Sequence, residues 1–197
     1  EDVISRAIYS QKGNGLEELR QLVVDTVNDL IADLAGKHKF VSEEIHGMVV
    51  AGNTIMTHLF LGLPPRYLRE EPYVPTATYF PLYTAAEVGI NINPHASVYC
   101  LPCVAAYVGG DITAGVLSSC LFKADKLTLF LDVGTNGEIV MGNSDWMTTC
   151  ACSAGPAFEG AGIRSGMRAT KGAIEDVTIN SSTLEPTLRV IGGGAPL

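Results

Sequence analysis

The chain has 197 residues, 47% of them hydrophobic and 17% charged, with a formal net charge of −8. That length makes one large domain or two small ones sharing a cleft. The negative field repels polyanions and excludes nucleic acid as a partner of the general surface, and no apolar run approaches the ~20 residues of a membrane span, so no membrane contact is expected.

In chain order, Leu16, Leu19, Val23, Val27, Leu30, Ile31 and Leu34 recur at three- and four-residue steps, predicting an amphipathic helix that faces a core and is closed by Gly36. A β-rich run at 45–51 leads through "GNT" into a second helix at 54–61, broken by Gly62 and the Pro64-Pro65 pair. Residues 66–94 hold four of the ten prolines and read as irregular, with one helical turn near 85–88. A strand is expected at 96–102 and a helix at 104–121, interrupted by Gly109 and Gly110. From Lys123 the pattern changes to period two, through "LTLFLDVGTNGEIVMGN" at 127–143 and "WMTTCACS", so a lobe boundary is placed at 121–126. The stretch 153–172 is rich in glycine, and strand-like runs follow at 173–179 and 187–191. The closing "VIGGGAPL" reads as a strand entering a glycine loop, which suggests an excised fragment.

The segment "DVGTNGE" offers more than a turn requires. Asp132 ends an apolar run, where a carboxylate seeks a cation or donors. Gly134 and Gly137 permit backbone angles that build an anion-binding nest, and Thr135 and Asn136 add side-chain donors. The ensemble suits a polyphosphate with its divalent metal, Asp132 orienting metal-bound water. The alternative is that Asn136-Gly137 is simply a type I′ hairpin turn.

Other candidates stand beside their plainer accounts. Asn53 or Thr54 caps the helix it opens, and the same loop can line a cleft beyond a strand's carboxyl end. His58 has no second His or Cys at helical spacing and reads as a packed or solvated residue. Asp111 is a cap or a catalytic or metal-water carboxylate. Cys100 and Cys103 form a C-x-x-C without the rest of a thioredoxin pattern, and no metal is expected on them or on Cys150 and Cys152. "SAGPAF", containing Gly155 and Pro156, is a structural loop or a helix start that meets an anion. Arg164, Arg168 and Lys171 form a small basic cluster, and Glu159 is a further acid or base without a partner to test it. Five cysteines, an odd number, and an acidic Glu1-Asp2 start with no leader pattern suggest reduced thiols and a cytoplasmic setting.

Five segments in order, "EDVISRAIYS", "VVAGNTIMTHLFLGLPP", "EPYVP", "LFLDVGTNGEIVMGN" and "CSAGPAFEGAGIRSGMRA", closely resemble the reductive activators of corrinoid proteins. The hairpin resembles the second phosphate loop of the actin, sugar kinase and Hsp70 superfamily, and "LPCVAAYVGGDITAGVL" its interdomain helix. The resemblance implies a ribonuclease H-like α/β fold truncated at both ends, with 1–122 in the first lobe and 123–197 starting the second. It further implies ATP-driven return of cob(II)alamin to cob(I)alamin on a corrinoid protein partner. ATP and Mg²⁺ are the expected ligands, the [2Fe-2S] cluster of the parent lies outside this chain, and a homodimer is among the assemblies considered. Asp132 and Asp111 take the catalytic places; Gly134, Thr135, Asn136, Gly137, Gly155 and Asn53 take the nucleotide, with Asp132 also holding Mg²⁺ through water. A sugar or acyl phosphotransferase and a non-catalytic docking module are the rival readings.

Overall fold

A computed structural model describes residues 3–134, 136–153, 164 and 166–196. The chain divides into two compact units, Glu1–Phe130 with Ile139–Cys150, and Leu131–Glu138 with Ala151–Leu197.

The first unit opens with helices α1 (Val3–Tyr9) and α2 (Gly15–His38). Strand β1 (Gly47–Val50) then leads into α3 (Thr54–Phe60), followed by α4 (Arg66–Arg69), β2 (Tyr83–Thr84), α5 (Ala85–Val88) and β3 (Ser97–Cys100). The sheet order is β1-β3-β2. β1 runs parallel to β3 with Val50 opposite Cys100, and β2 pairs antiparallel with Tyr83 opposite Val98. A parallel pair needs a long crossover, which here is the whole segment from α3 to α5. Met48 and Val50 of β1 and Val98 and Cys100 of β3 face the first core cluster, with Val24, Phe60, Phe80 and Val88. A second cluster of Ala7, Ile55, Leu59, Leu68 and Ala106 joins α1, α3 and α4. Full burial of Leu59 and Leu68 contributes about 1.5–3 kcal/mol each.

Helix α2 departs from the sequence expectation twice. It runs past Gly36 to His38 and is capped by Lys39 in a left-handed conformation (φ 56°), whose N–H donates to Ala35 O. Lys37 and His38 in the last turn suit the negative end of the helix dipole, and Gly36 meets no other group that would force a stop. Leu30 and Leu34, assigned to the core by their spacing, lie instead in solvent because the helix is wider in apolar residues than the face the core can cover.

His58 of α3 is fully buried. Its Nδ1 lies 2.7 Å from the Thr54 carbonyl oxygen and must donate to it, while Nε2 accepts from the Ala77 N–H at 3.3 Å. Phe80 meets the ring edge-on at 6.0 Å. With both nitrogens committed to the neutral tautomer, burial holds the imidazole pKa below its ordinary 6.5, against the opposing pull of the Thr54 carbonyl. The folded protein therefore resists a proton that the unfolded chain accepts. The stability this contributes is complete above about pH 6.5 and falls as pH drops toward the lowered folded value, by up to about 1.4 kcal/mol per pH unit. Urea midpoints at pH 7.5 and 5.5 are expected to differ less in His58→Leu than in the parent. An unchanged difference would refute the assignment.

Helix α6 (Gly110–Ser118) is shorter than the expected 104–121. Residues 104–109 turn back on themselves through an Ala105–Val108 bridge. The helix can begin only at Gly110, because the backbone there is packed onto Gly52, whose carbonyl accepts from the Gly110 N–H at 2.9 Å. Gly115 lets α6 lie on Phe130: a Cβ there would stand 2.3 Å from the ring.

The remaining strands are β4 (Thr128–Val133), β5 (Asn136–Gly142), β6 (Met147–Ser153), β7 (Ile174–Ile179) and β8 (Pro186–Val190). The first three are neighbours in sequence order, and β7 and β8 pair antiparallel with Ile179 opposite Pro186. Among the described residues no helix is long and apolar enough to cross a membrane.

Candidate functional site

In the first unit, the carboxyl ends of β1 and β3 open side by side. The Leu101 N–H donates to Val50 O at 2.9 Å, so the loops that follow both strands start in contact. Ligands of open α/β sheets settle beyond such ends. Asn53 caps α3: its Oδ1 accepts from the Met56 N–H at 2.9 Å, as the capping account expected. Thr54 and Thr57, both buried, spend their hydroxyls locally, Thr54 on Ala105 O at 2.7 Å and Thr57 on Asn53 O at 3.1 Å. The β1–α3 loop is thereby fixed on both sides.

Gly109 brings Asp111 to this loop. A Cβ at Gly109 would lie 2.5 Å from Asn53 Cα, 2.6 Å from Gly52 O and 2.7 Å from Asp111 Oδ1. Asn53 and Asp111, read separately from the sequence, thus sit within a few ångströms of one backbone point. Asp111 stands in the first turn of α6, its Oδ1 2.9 Å from the Ile112 N–H.

Cys100 and Cys103 lie beneath the same loops, 1% and 4% exposed. Burial, and secondarily the neighbouring Cys103, pushes the Cys100 thiol up to about 11, and burial raises Cys103 as well. Redox exchange needs a thiolate, so the environment opposes the redox reading of this C-x-x-C. Both side chains are packing residues of the strand end.

The hairpin belongs to the second unit. Along β4, burial alternates, with Thr128, Phe130 and Asp132 on the more covered face and Leu131 and Val133 exposed. Among the described residues the Asp132 carboxylate has no hydrogen-bond or ion-pair partner, although it is half-buried. A half-buried carboxylate in that condition favours a bound cation. Asn136-Gly137 is not the turn that the plainer account made it. Both residues already belong to β5, which starts three residues after β4 ends at Val133, with the Gly134 N–H donating to Asn136 O at 2.9 Å. Gly134 does not adopt the left-handed angle expected of it.

One neighbour of the hairpin escaped the sequence reading. The Cys152 thiol on β6 donates to Gly137 O at 3.4 Å, and only strand pairing, invisible in residue spacing, places it there. Thr135, Gly155, Pro156 and Glu159 lie outside the described residues. Arg164 and Lys171 are exposed, as solvated charges would be.

A parallel strand pair with helical crossover, a small-residue helix laid on β4 and a glycine hairpin following that helix make an α/β protein, and the match of its second part places it in the actin-like ATPase class. The description "C-terminal domain of RACo the ASKHA domain" matches residues 126–197, and "RACo middle region" matches residues 1–124. The chain belongs to the RACo family, the reductive activators of corrinoid proteins. It is 36% identical over 196 residues to the corrinoid activation enzyme RamQ of Eubacterium limosum, covering 99% of this chain and 32% of that protein. It is 34% identical over 97 residues to the Co(II) methylated amine-specific corrinoid protein reductase of Methanosarcina barkeri, covering 49% of this chain and 18% of that one. The solved structure of a reductive activator for corrinoid, iron-sulfur protein superposes with a TM-score of 0.84 at 54% identity, over 99% of this chain and 31% of the other. The chain therefore spans about a third of the length of that activator and of RamQ.

Proposed function

We propose that this chain is the nucleotide-responsive part of a protein that uses ATP to return a corrinoid partner from cob(II)alamin to cob(I)alamin. The observation that carries the reading is the hairpin: a half-buried Asp132 without a partner among the described residues, followed at once by Gly134 and by Asn136-Gly137 opening β5, within the stretch that matches the ASKHA domain. The relatives support the corrinoid assignment, since one is named for corrinoid activation and another for reducing a corrinoid protein.

In this reading Asp132 would hold Mg²⁺ through its water shell, Gly134, Thr135, Asn136 and Gly137 would present donors to phosphate oxygens, and Gly155 and Asn53 are the other residues assigned to the nucleotide. Bound Mg²⁺ supplies charge neutralisation at the phosphates. Asp111 serves as the second carboxylate, orienting the attacking water. Residues 1–122 form part of the first lobe and 123–197 begin the second, so that nucleotide favours one relative arrangement of lobes by binding it better. The electron would come from a [2Fe-2S] cluster carried by another part of the parent protein, which works in the cytoplasm.

The test is an anaerobic reduction assay on the full-length protein with its corrinoid partner, followed by the cob(II)alamin and cob(I)alamin absorbances. Cob(I)alamin is expected to accumulate only with Mg-ATP, and hydrolysis to rise when partner and reductant are present. Transfer of the γ-phosphoryl group to a sugar or acyl acceptor would replace this reading with the phosphotransferase one. Partner binding indifferent to nucleotide would replace it with simple docking.

A further inference from the structure

We infer that the outward ridge of α2 is a docking surface for a basic amphipathic helix of a partner protein. Helix α2 is apolar on two sides. Val23, Val27 and Ile31 pack on the first core cluster and Val24 is buried in it, whereas Leu22, Leu30 and Leu34 are 62%, 58% and 50% exposed. The four-residue steps from Leu22 through Thr26 and Leu30 to Leu34 form one ridge about 18 Å long. Thr26 does not interrupt it: its hydroxyl donates back to Leu22 O at 2.7 Å, so its polar group is satisfied inside the helix and the methyl remains for the ridge.

A second ridge runs beside the first. Asp25, Asp29 and Asp33 follow Leu22, Thr26 and Leu30 by three residues each and are all exposed. Asp25 accepts from Gln21 at 2.7 Å and Asp33 pairs with Lys37 at 3.6 Å, in contacts open to solvent that a stronger cation can displace.

Apolar side chains in a helical ridge receive a helix whose own apolar residues recur at three and four. The aspartate row then selects the charge of its flanks, since like charges across an interface are disfavoured and opposite ones steer encounter. An anionic membrane or a nucleic acid is repelled by the row. A second copy would bring its own aspartate row and a net charge of −8. The surface fits a helix with a leucine face edged by lysine or arginine, and this stands apart from the nucleotide reading of the hairpin.

The probe is a fluorescein-labelled synthetic amphipathic helix of about five turns, its leucine face flanked by lysines, titrated by anisotropy against the full-length protein. A peptide with glutamate flanks is the comparison. The lysine peptide is expected to bind, and to bind more weakly as salt rises. Leu30→Asp should weaken it about tenfold or more, the loss of one buried leucine, and Asp29→Lys about tenfold, each with an unchanged thermal midpoint. Absence of binding, equal binding of the glutamate peptide, or indifference to Leu30→Asp overturns the inference. So does sedimentation showing that Leu30→Asp turns a dimer into monomers, which would assign the ridge to a second copy.

Discussion

Asp132→Ala in the full-length protein is expected to cut Mg-ATP-dependent corrinoid reduction by about 10–100-fold, the range for removing a residue that holds a metal through its outer shell. Asp132 is half-buried near the end of β4 with no partner among the described residues, so its loss removes no hydrogen bond or ion pair to any of them and should leave the thermal midpoint nearly unchanged. That separation makes the variant informative. A structural carboxylate would show the reverse, a lower midpoint with activity proportional to the folded fraction. Asp132→Asn keeps the size and removes the charge, and is expected to behave like the alanine variant. Activity of Asp132→Asn close to the parent would mean that the carboxylate is not needed for a cation.

Gly109→Ala is the second large effect, and it acts through packing. The new methyl would lie 2.5 Å from Asn53 Cα and 2.6 Å from Gly52 O, both backbone atoms that cannot rotate away. Gly109 has φ −92° and ψ −170°, which alanine adopts freely, so the penalty is the overlap alone. Overpacking of this kind costs about 1–3 kcal/mol, which for a chain of this size lowers the thermal midpoint by roughly 2–4 °C per kcal/mol. The push also parts the β1–α3 loop from the start of α6, and therefore Asn53 from Asp111, so the nucleotide response should weaken beyond what the lost stability explains. Gly36→Ala is the control. Nothing lies within 4 Å of its position, and in the interior of α2 alanine should stabilise by about 0.5–1 kcal/mol. A Gly109→Ala protein as stable as the parent would show that the two loops are not held at this contact.

What the sequence disclosed and what it hid follow a physical division. The capping role of Asn53, the short turn at Ala85–Val88 and the strands around "VVAGNT" and "SVYC" depend on neighbours in the chain, and local pattern revealed them. The C-terminus of α2, the start of α6 and the start of β5 depend on what lies across from them. Gly36 is a poor stop when nothing crowds it; Gly110 is a good start because Gly52 is beneath it. The same division applies to the site. "DVGTNGE" announced its carboxylate and its glycines, but the start of β5 at Asn136 and the approach of Cys152 to Gly137 are consequences of strand pairing. Leu30 and Leu34 show the opposite failing, in which a sound helical period pointed to a core that ends before they do.

The most direct test of the central claim is calorimetric titration of the full-length protein with Mg-ATP, repeated with Asp132→Ala. Saturable binding in the parent, lost or weakened at least about tenfold in the variant, is the predicted result. Equal binding by both proteins, or none by the folded parent, would contradict the assignment of the hairpin to the nucleotide.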